Sequence, residues 1–417
     1  MTAAVASPTA ITAPAPRVSY NRLALGTAAE SITKRDLSAS EKKSALFDTS
    51  YEPSREWWAS SQLAYARPED DPLPEGFPAH VSPSTLWDGK VLVDQPEKWL
   101  YTFTSGDIAL LDAAYEHFAA LKVHKNEISR ATFPLPPGSG LYAALREVTR
   151  EINHGLGFRV LRGLPVDSWP REKQVTVFAG ISAYLGDGAR QPQGDKNITH
   201  LRDITSLPAD IRPAIVVKGQ TSGNQVFHTD GAASIVGLVT LGVAETGGLS
   251  QLSSIAATYN ALANTRRDVL RTLAKPDWVT RYSPNGRPLV YTLERGANVS
   301  IAYSRRPFFG FYEADAGVPK LPEDKHLALD ALHFTAERLS LDIDLQKGDL
   351  EFFNNHTVLH SRTASEDSEA NARHLLRIYV ANRAQEVPAP LVPLFDRVND
   401  SGAAVDKWPL EAWEDEY

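Results

Sequence analysis

The run Asp349-Leu350-Glu351-Phe352-Phe353-Asn354-Asn355-His356-Thr357-Val358-Leu359-His360-Ser361-Arg362 is where the fold is decided. Just upstream, Leu341, Ile343 and Leu345 alternate with polar residues, Lys347-Gly348 supplies a turn, and Asp349 to Phe353 begins a second extended run. Local pattern therefore predicts a β-hairpin. His356 and His360 stand four apart, and by pattern either could be a core histidine. After a polar loop comes Asn371-Ala372-Arg373-His374-Leu375-Leu376-Arg377-Ile378-Tyr379-Val380. On an extended strand Arg373 and Arg377 share one side, because successive side chains alternate.

Further upstream stands Gln225-Val226-Phe227-His228-Thr229-Asp230-Gly231. In an extended segment His228 and Asp230 project the same way and Thr229 projects the other way, so an imidazole and a carboxylate can grip one ion together. One more histidine from elsewhere would complete the two-His, one-carboxylate face that suits iron(II) and leaves coordination positions open. Alone the signal is weak: 11 His and 51 acidic residues in 417 predict about 1.3 chance His-x-acid pairs. A hydrogen-bonded strand-end histidine beside a solvated aspartate is the plain alternative.

Around these segments, Ser234 to Leu241 reads as a buried strand, Gly247-Gly248 as a turn, and Ser253 or Ser254 as the cap of a helix through Tyr259 and Leu262. Gly157 to Gly163 alternates like a strand, and Pro170 opens a helix carrying Val175, Phe178 and Ile181. Thr104 with Asp107 three residues on opens another, with His117 on its surface. A helix from about His326 to Arg338 would carry His326 and His333 as surface residues. The Pro- and Trp-rich stretch 51–101 reads as ordered coil wrapping the core. The polar loop 186–212, with Gln191, Gln193, Asn197 and His200, leads into a strand-like 214–217 and suits substrate contacts. The last 35 residues read as an acidic surface tail.

Composition sets limits on function. Hydrophobic content of 42% with 23% charged residues describes an ordinary globular protein. A net charge of −8 gives no electrostatic reason to expect nucleic acid or an anionic membrane as partner. With no cysteine, disulfides and thiolate ligation are excluded, so any metal is held by nitrogen and oxygen. No run is long and apolar enough to span a membrane. Residues 1–35 carry four basic residues and one acidic among Ala, Ser, Thr and Pro. They read as a disordered leader on a cytoplasmic protein, with a mitochondrial transit peptide as the alternative.

Taken in order, His228-Thr229-Asp230, Gly247-Gly248-Leu249-Ser250, Asn354-Asn355-x-x-x-x-His360-Ser361-Arg362 and Arg373-His374-Leu375-Leu376-Arg377 resemble one family. It is the taurine dioxygenase-like (TauD/TfdA) family of iron(II)- and 2-oxoglutarate-dependent oxygenases, matched over roughly residues 155–385. The resemblance implies an α+β, mainly β fold, a double-stranded β-helix or jelly roll with flanking helices. It implies a leader at 1–45, an extension at 46–150 packing on the core, the dioxygenase domain at 151–390 and a tail at 391–417. It makes His228, Asp230 and His360 the iron ligands, leaving His356 to packing. Arg373 would hold the distal carboxylate of 2-oxoglutarate with its planar fork. Ser250, where the family usually has Thr, would give a hydroxyl to the same carboxylate. Arg377 would lie near the substrate anion or the keto-acid end of the cosubstrate.

Iron(II), 2-oxoglutarate and dioxygen are thus the expected metal and cosubstrates, succinate and carbon dioxide the products, and hydroxylation the default outcome. Desaturation or oxidative ring formation are open to the same site. A catalytically silent barrel acting as a binding protein is the alternative of a different class. A second guanidinium in one pocket calls for a further anion. The expected partner is therefore a small acid, an amino or organic acid before a sulfonate, with Arg377 on its anion and Asn197 reading its other end. A homo-oligomer is left open.

Overall fold

The computed structural model of the protein describes residues 52–412 except 69, 206, 208–217, 281–282, 295–297, 309–320 and 402–404. The expected leader and the strand-like 214–217 lie outside the described residues. Contacts divide the chain into Met1–Ala45 and Leu46–Tyr417, and the architecture is that of the second unit. In chain order its strands are Leu100–Thr102 (β1), Phe158–Arg162 (β2), Arg190–Gln191 (β3), Ile198–Arg202 (β4), Gln225–His228 (β5), Ile235–Gly242 (β6) and Thr246–Gly247 (β7). There follow Ser250–Ser254 (β8), Val290–Thr292 (β9), Val299–Ile301 (β10), Leu341–Ile343 (β11), Leu350–Asn354 (β12), Val358–Arg362 (β13), Ser365–Glu366 (β14) and His374–Val380 (β15).

Seven strands form the larger sheet, in the order β1-β2-β12-β6-β15-β3 with β4 also on β15, and four form the smaller, β11-β8-β13-β5. The sheets face each other. Phe158, Val160, Val236, Leu238, Phe353 and Leu375 from the larger sheet share one apolar cluster with Leu252, Leu341, Ile343 and Val358 from the smaller. This is the jelly roll that the motifs imply, with helices on both outer faces. Ser105–Leu121, opened by the Thr104/Asp107 capping box, packs with Gly140–His154 and Arg171–Ser182 on the outside of the larger sheet. Ile255–Thr265, capped by Ser254, packs with Arg267–Leu273 and Glu323–Arg338 outside the smaller. With both its faces covered, β6 is buried at every position, which is why its sequence is β-branched without polar alternation.

The expected hairpin does not form. β11 pairs with β8 in the smaller sheet, and β12 lies between β2 and β6 in the larger. The turn is real, but it carries the chain across the core. Strand patterning and a Gly-containing turn cannot tell a hairpin from such an arch, because both need the same local geometry. Pairing across the sandwich hydrogen-bonds both edges of β12. Gly348 takes a left-handed φ of 84°, and a Cβ there would lie 2.0 Å from the Leu164 carbonyl oxygen. Gly348→Ala is therefore expected to destabilise the protein by roughly 3 kcal/mol or more, read as a lower denaturation midpoint at unchanged slope.

Three further expectations are corrected. The stretch 51–101 is not coil throughout, for it holds the helix Arg55–Ala64 and β1. The C-terminal segment is no loose tail: it forms the helix Val392–Ser401, and Phe395, Trp408 and Ala412 are buried. His333 is buried, because its helix is covered by the smaller sheet; it lies 3.4 Å from the Phe227 amide and its pKa is pushed down to about 3 by burial and then by Arg305 and Arg55. No described helix is long and apolar enough to cross a membrane.

Candidate active site

β5 and β13 pair antiparallel with His228 directly opposite His360, which brings the two imidazoles to 4.1 Å between ring centres. Asp230 lies two residues beyond His228, at the end of the strand. Its Oδ1 is 3.5 Å from His228 Nε2, and its Oδ2 is 3.9 Å from His360 Nε2. One ligand atom from each of the three falls within 4.8 Å of the others. The residue types and spacing fit a divalent metal of borderline hardness, iron(II) among them. His228 donates from Nδ1 to the Val226 carbonyl at 2.8 Å, which fixes the tautomer and leaves Nε2 for the metal.

Asp230 is held through its backbone. The Asn355 side chain accepts from the Asp230 amide at 2.8 Å and donates to the carbonyls of Asp230 (2.7 Å) and Ala233 (2.9 Å). Burial would raise the Asp230 carboxyl, but the Arg377 guanidinium beside it, ahead of the two imidazoles, holds it well below the usual carboxylate range. Burial lowers His360 well below the usual imidazole value, so it is neutral and ready to ligate. His356 is buried, stacks on Phe395 at 4.9 Å and stays out of the triad.

The arginines separate into two places. Along β15, Leu375 joins the cluster between the sheets, while Leu376, Ile378 and Val380 pack under the outer helices. Arg377 donates to Asp230 Oδ2 at 3.1 Å and to Gln193 Oε1 at 2.8 Å, and its guanidinium sits 4.9 Å from the Tyr379 ring centre. Burial and then the neighbouring Asp230 carboxylate raise the Tyr379 phenol well above its ordinary value, though Arg377 pulls the other way. Arg373, half-buried, makes no side-chain hydrogen bond or ion pair among the described residues. Burial, with Arg362 next, lowers its pKa to about 9, against the opposing pull of Asp367 and Glu351. Gly248 has a left-handed φ of 74°, and a Cβ there would come within 3.3 Å of Arg373 Cδ. The glycine turn thus gives the arginine stem its room.

Ser250 and Asn197 each have partners within the chain. The Ser250 hydroxyl reaches across the gap between the sheets to Glu351 on β12, at 2.8 and 3.1 Å from its two carboxylate oxygens. Asn197 is fully buried and does not face the site. Its amide nitrogen donates to Asn126 Oδ1 (3.3 Å) and the Val405 carbonyl (2.9 Å), and its oxygen accepts from Arg190 at 3.4 Å. It ties down the C-terminal segment, and Gln193 is the loop residue that reaches Arg377. Polarity marks such a loop, but two polar residues four apart cannot be told apart by sequence. Glu351, Asn355 and Tyr379 were also missed as site residues. Glu351 left one trace, an acid inside the apolar run Leu350-x-Phe352-Phe353.

Comparison with known proteins identifies the family. Residues 120–379 match the profile of the family described as taurine catabolism dioxygenase TauD, TfdA. A taurine hydroxylase-like protein, SAT17, of Stachybotrys chartarum is 31% identical over 305 residues, covering 70% of this chain and 77% of that protein. FR-33289 synthase of Streptomyces rubellomurinus is 25% identical over 317 residues, 72% of this chain and 90% of its own. Among solved structures, an asparagine oxygenase in complex with Fe(II), 3-hydroxyasparagine and succinate shares the fold at a TM-score of 0.50 and 17% identity, over 68% of this chain and 93% of its own. With the family's profile matched over residues 120–379, more than half of its length, the chain belongs to the TauD/TfdA family of iron(II)- and 2-oxoglutarate-dependent dioxygenases.

Proposed function

We propose that the enzyme hydroxylates a small acid, an amino or organic acid before a sulfonate, with His228, Asp230 and His360 as its iron ligands and Arg373 and Ser250 as the seat of the 2-oxoglutarate distal carboxylate. Bound iron(II), 2-oxoglutarate and dioxygen supply the oxidant that removes a substrate hydrogen, the cosubstrate leaving as succinate and carbon dioxide. The protein's part is placement. Val226 and Asn355 orient two of the ligands, and Arg373 offers a guanidinium with no hydrogen-bonded partner of its own to an incoming carboxylate.

The observation that carries the substrate class is Arg377, 3.1 Å from Asp230. A divalent iron and two guanidiniums, set against the Asp230 carboxylate and the two carboxylates of 2-oxoglutarate, leave one positive charge unmatched at the metal. A substrate anion beside Arg377 closes that balance, and Gln193 and Tyr379 are placed to contact it. Amino acids head the list of candidates, since the asparagine oxygenase of the same fold holds 3-hydroxyasparagine.

The test screens small acids for stimulation of 2-oxoglutarate-dependent oxygen consumption, then compares the best acid with its neutral amide. Wild type is expected to favour the acid by roughly ten- to a hundredfold, the worth of a charge-assisted hydrogen bond. Arg377→Gln is expected to lose that preference. Because the variant also removes a partner of Asp230, the ratio of acid to amide is the quantity to read, as any change in iron affinity cancels in it. An equal preference for the acid in both proteins would rule out the anion-reading role.

A further inference from the structure

Glu351 is 1% exposed and points from β12 into the space between the sheets, where it accepts the hydroxyl of Ser250, itself buried. That hydroxyl and Arg373 are the two groups assigned above to the distal carboxylate of 2-oxoglutarate, so the inference rests on that assignment. A resident carboxylate therefore already holds part of the seat. The neighbouring charges show what this costs. Asp349, next to Glu351, is closed by Arg162 at 2.7 Å. Arg362, which adds its charge beside Arg373, spends its guanidinium on the carbonyls of Thr221, Ser222 and Gly223. Asp367 accepts the Arg373 backbone amide at 2.9 Å and acts on the Arg373 charge against Arg362. His374, adjoining Arg373, is kept neutral by burial and by the His200 ring. Among the described residues Arg373 is then the guanidinium beside Glu351 whose side chain has no hydrogen-bonded partner, and it can balance one carboxylate.

We propose that Glu351 is a positioning acid that must hold a proton for 2-oxoglutarate to seat, so that cosubstrate binding is coupled to uptake of one proton. Two carboxyl groups sharing one site with a single counter-charge share a proton, as in any close carboxylate pair. Protonated Glu351 turns from competitor to donor and can hydrogen-bond the incoming carboxylate, while the Ser250 hydroxyl is released to it. Burial, then the Asp349 charge, raises the Glu351 carboxyl to about 7 even without cosubstrate, against the opposing pull of Ser250 and Arg373. The sign follows. Below about pH 7 the proton is already present and affinity is level. Above it, each binding event takes a proton from solution, and the dissociation constant rises by about tenfold per pH unit.

The experiment is anaerobic calorimetry of 2-oxoglutarate binding to the iron(II)-loaded enzyme at pH 6 and pH 8.5, in buffers of different ionisation enthalpy. Uptake of about one proton at pH 8.5 and of none at pH 6 is expected. E351Q is expected to bind without uptake and with an affinity level in pH. A second arm needs no variant: 2-oxobutyrate, a keto acid with no distal carboxylate, should bind wild type without proton uptake. Absence of uptake by wild type at pH 8.5, equal uptake in E351Q, or equal uptake with 2-oxobutyrate each overturns the role of Glu351 while leaving cosubstrate binding intact. If 2-oxoglutarate fails to bind at either pH, the parent assignment falls and takes this one with it.

Discussion

Alanine at His228, Asp230 or His360 is expected to reduce iron-dependent turnover to background while leaving a folded protein. Each substitution removes one of three candidate ligand atoms that lie within 4.8 Å of one another. If these three hold the iron, the rest of the coordination sphere is left to cosubstrate and oxygen, and no other described His or carboxylate joins the cluster to replace the lost ligand. Binding gives a second readout: iron(II) at a hundredfold its dissociation constant should stabilise wild type by about 2.7 kcal/mol against unfolding, and the variants should lose that gain. The three are not equivalent in the absence of metal. Asp230→Ala strips Arg377 of a carboxylate at 3.1 Å in a largely buried site, so it should also lower metal-free stability, and Asp230→Asn should do so less. Near-normal turnover in any one of the three would remove that residue from the site.

Arg373→Ala is expected to raise the half-saturating 2-oxoglutarate concentration by roughly two to three orders of magnitude, because a buried carboxylate deprived of its charged partner costs about 3–5 kcal/mol. Lysine should rescue poorly, for it lacks the planar fork that meets two carboxylate oxygens at once. The structure sharpens this expectation. The Arg373 side chain has no hydrogen-bonded partner among the described residues that could make the effect merely structural, whereas Arg377 is engaged by Asp230 and Gln193. An unchanged 2-oxoglutarate requirement in Arg373→Ala would move the anchor to Arg377.

Some of this was legible in the amino-acid sequence alone because it depends on local rules. Alternation put His228 and Asp230 on one side of an extended segment, capping side chains opened the helices at Thr104 and Ser254, Pro170 opened another, and Gly247-Gly248 turned the chain where both residues take positive φ. The order of the motifs, carried by a family resemblance, added His360, Arg373 and the jelly roll. Pattern reading by itself could not have supplied that topology.

Tertiary structure decided what depends on strands remote in sequence. Whether β11 and β12 pair with each other or with opposite sheets is settled by what lies on their far edges, β8 on one side and β2 and β6 on the other, and not by the turn between them. The same holds for the side chains. Asn197 and Gln193 are equally polar neighbours in sequence, yet one faces the C-terminal segment and the other Arg377. Glu351 gains its meaning only when the sandwich closes and brings β8 over β12, setting a carboxylate against Ser250 and beside Arg373. Backbone periodicity acts over a few residues and can be read from the chain. The balance of charge in a closed interior is a sum over residues that only folding makes neighbours.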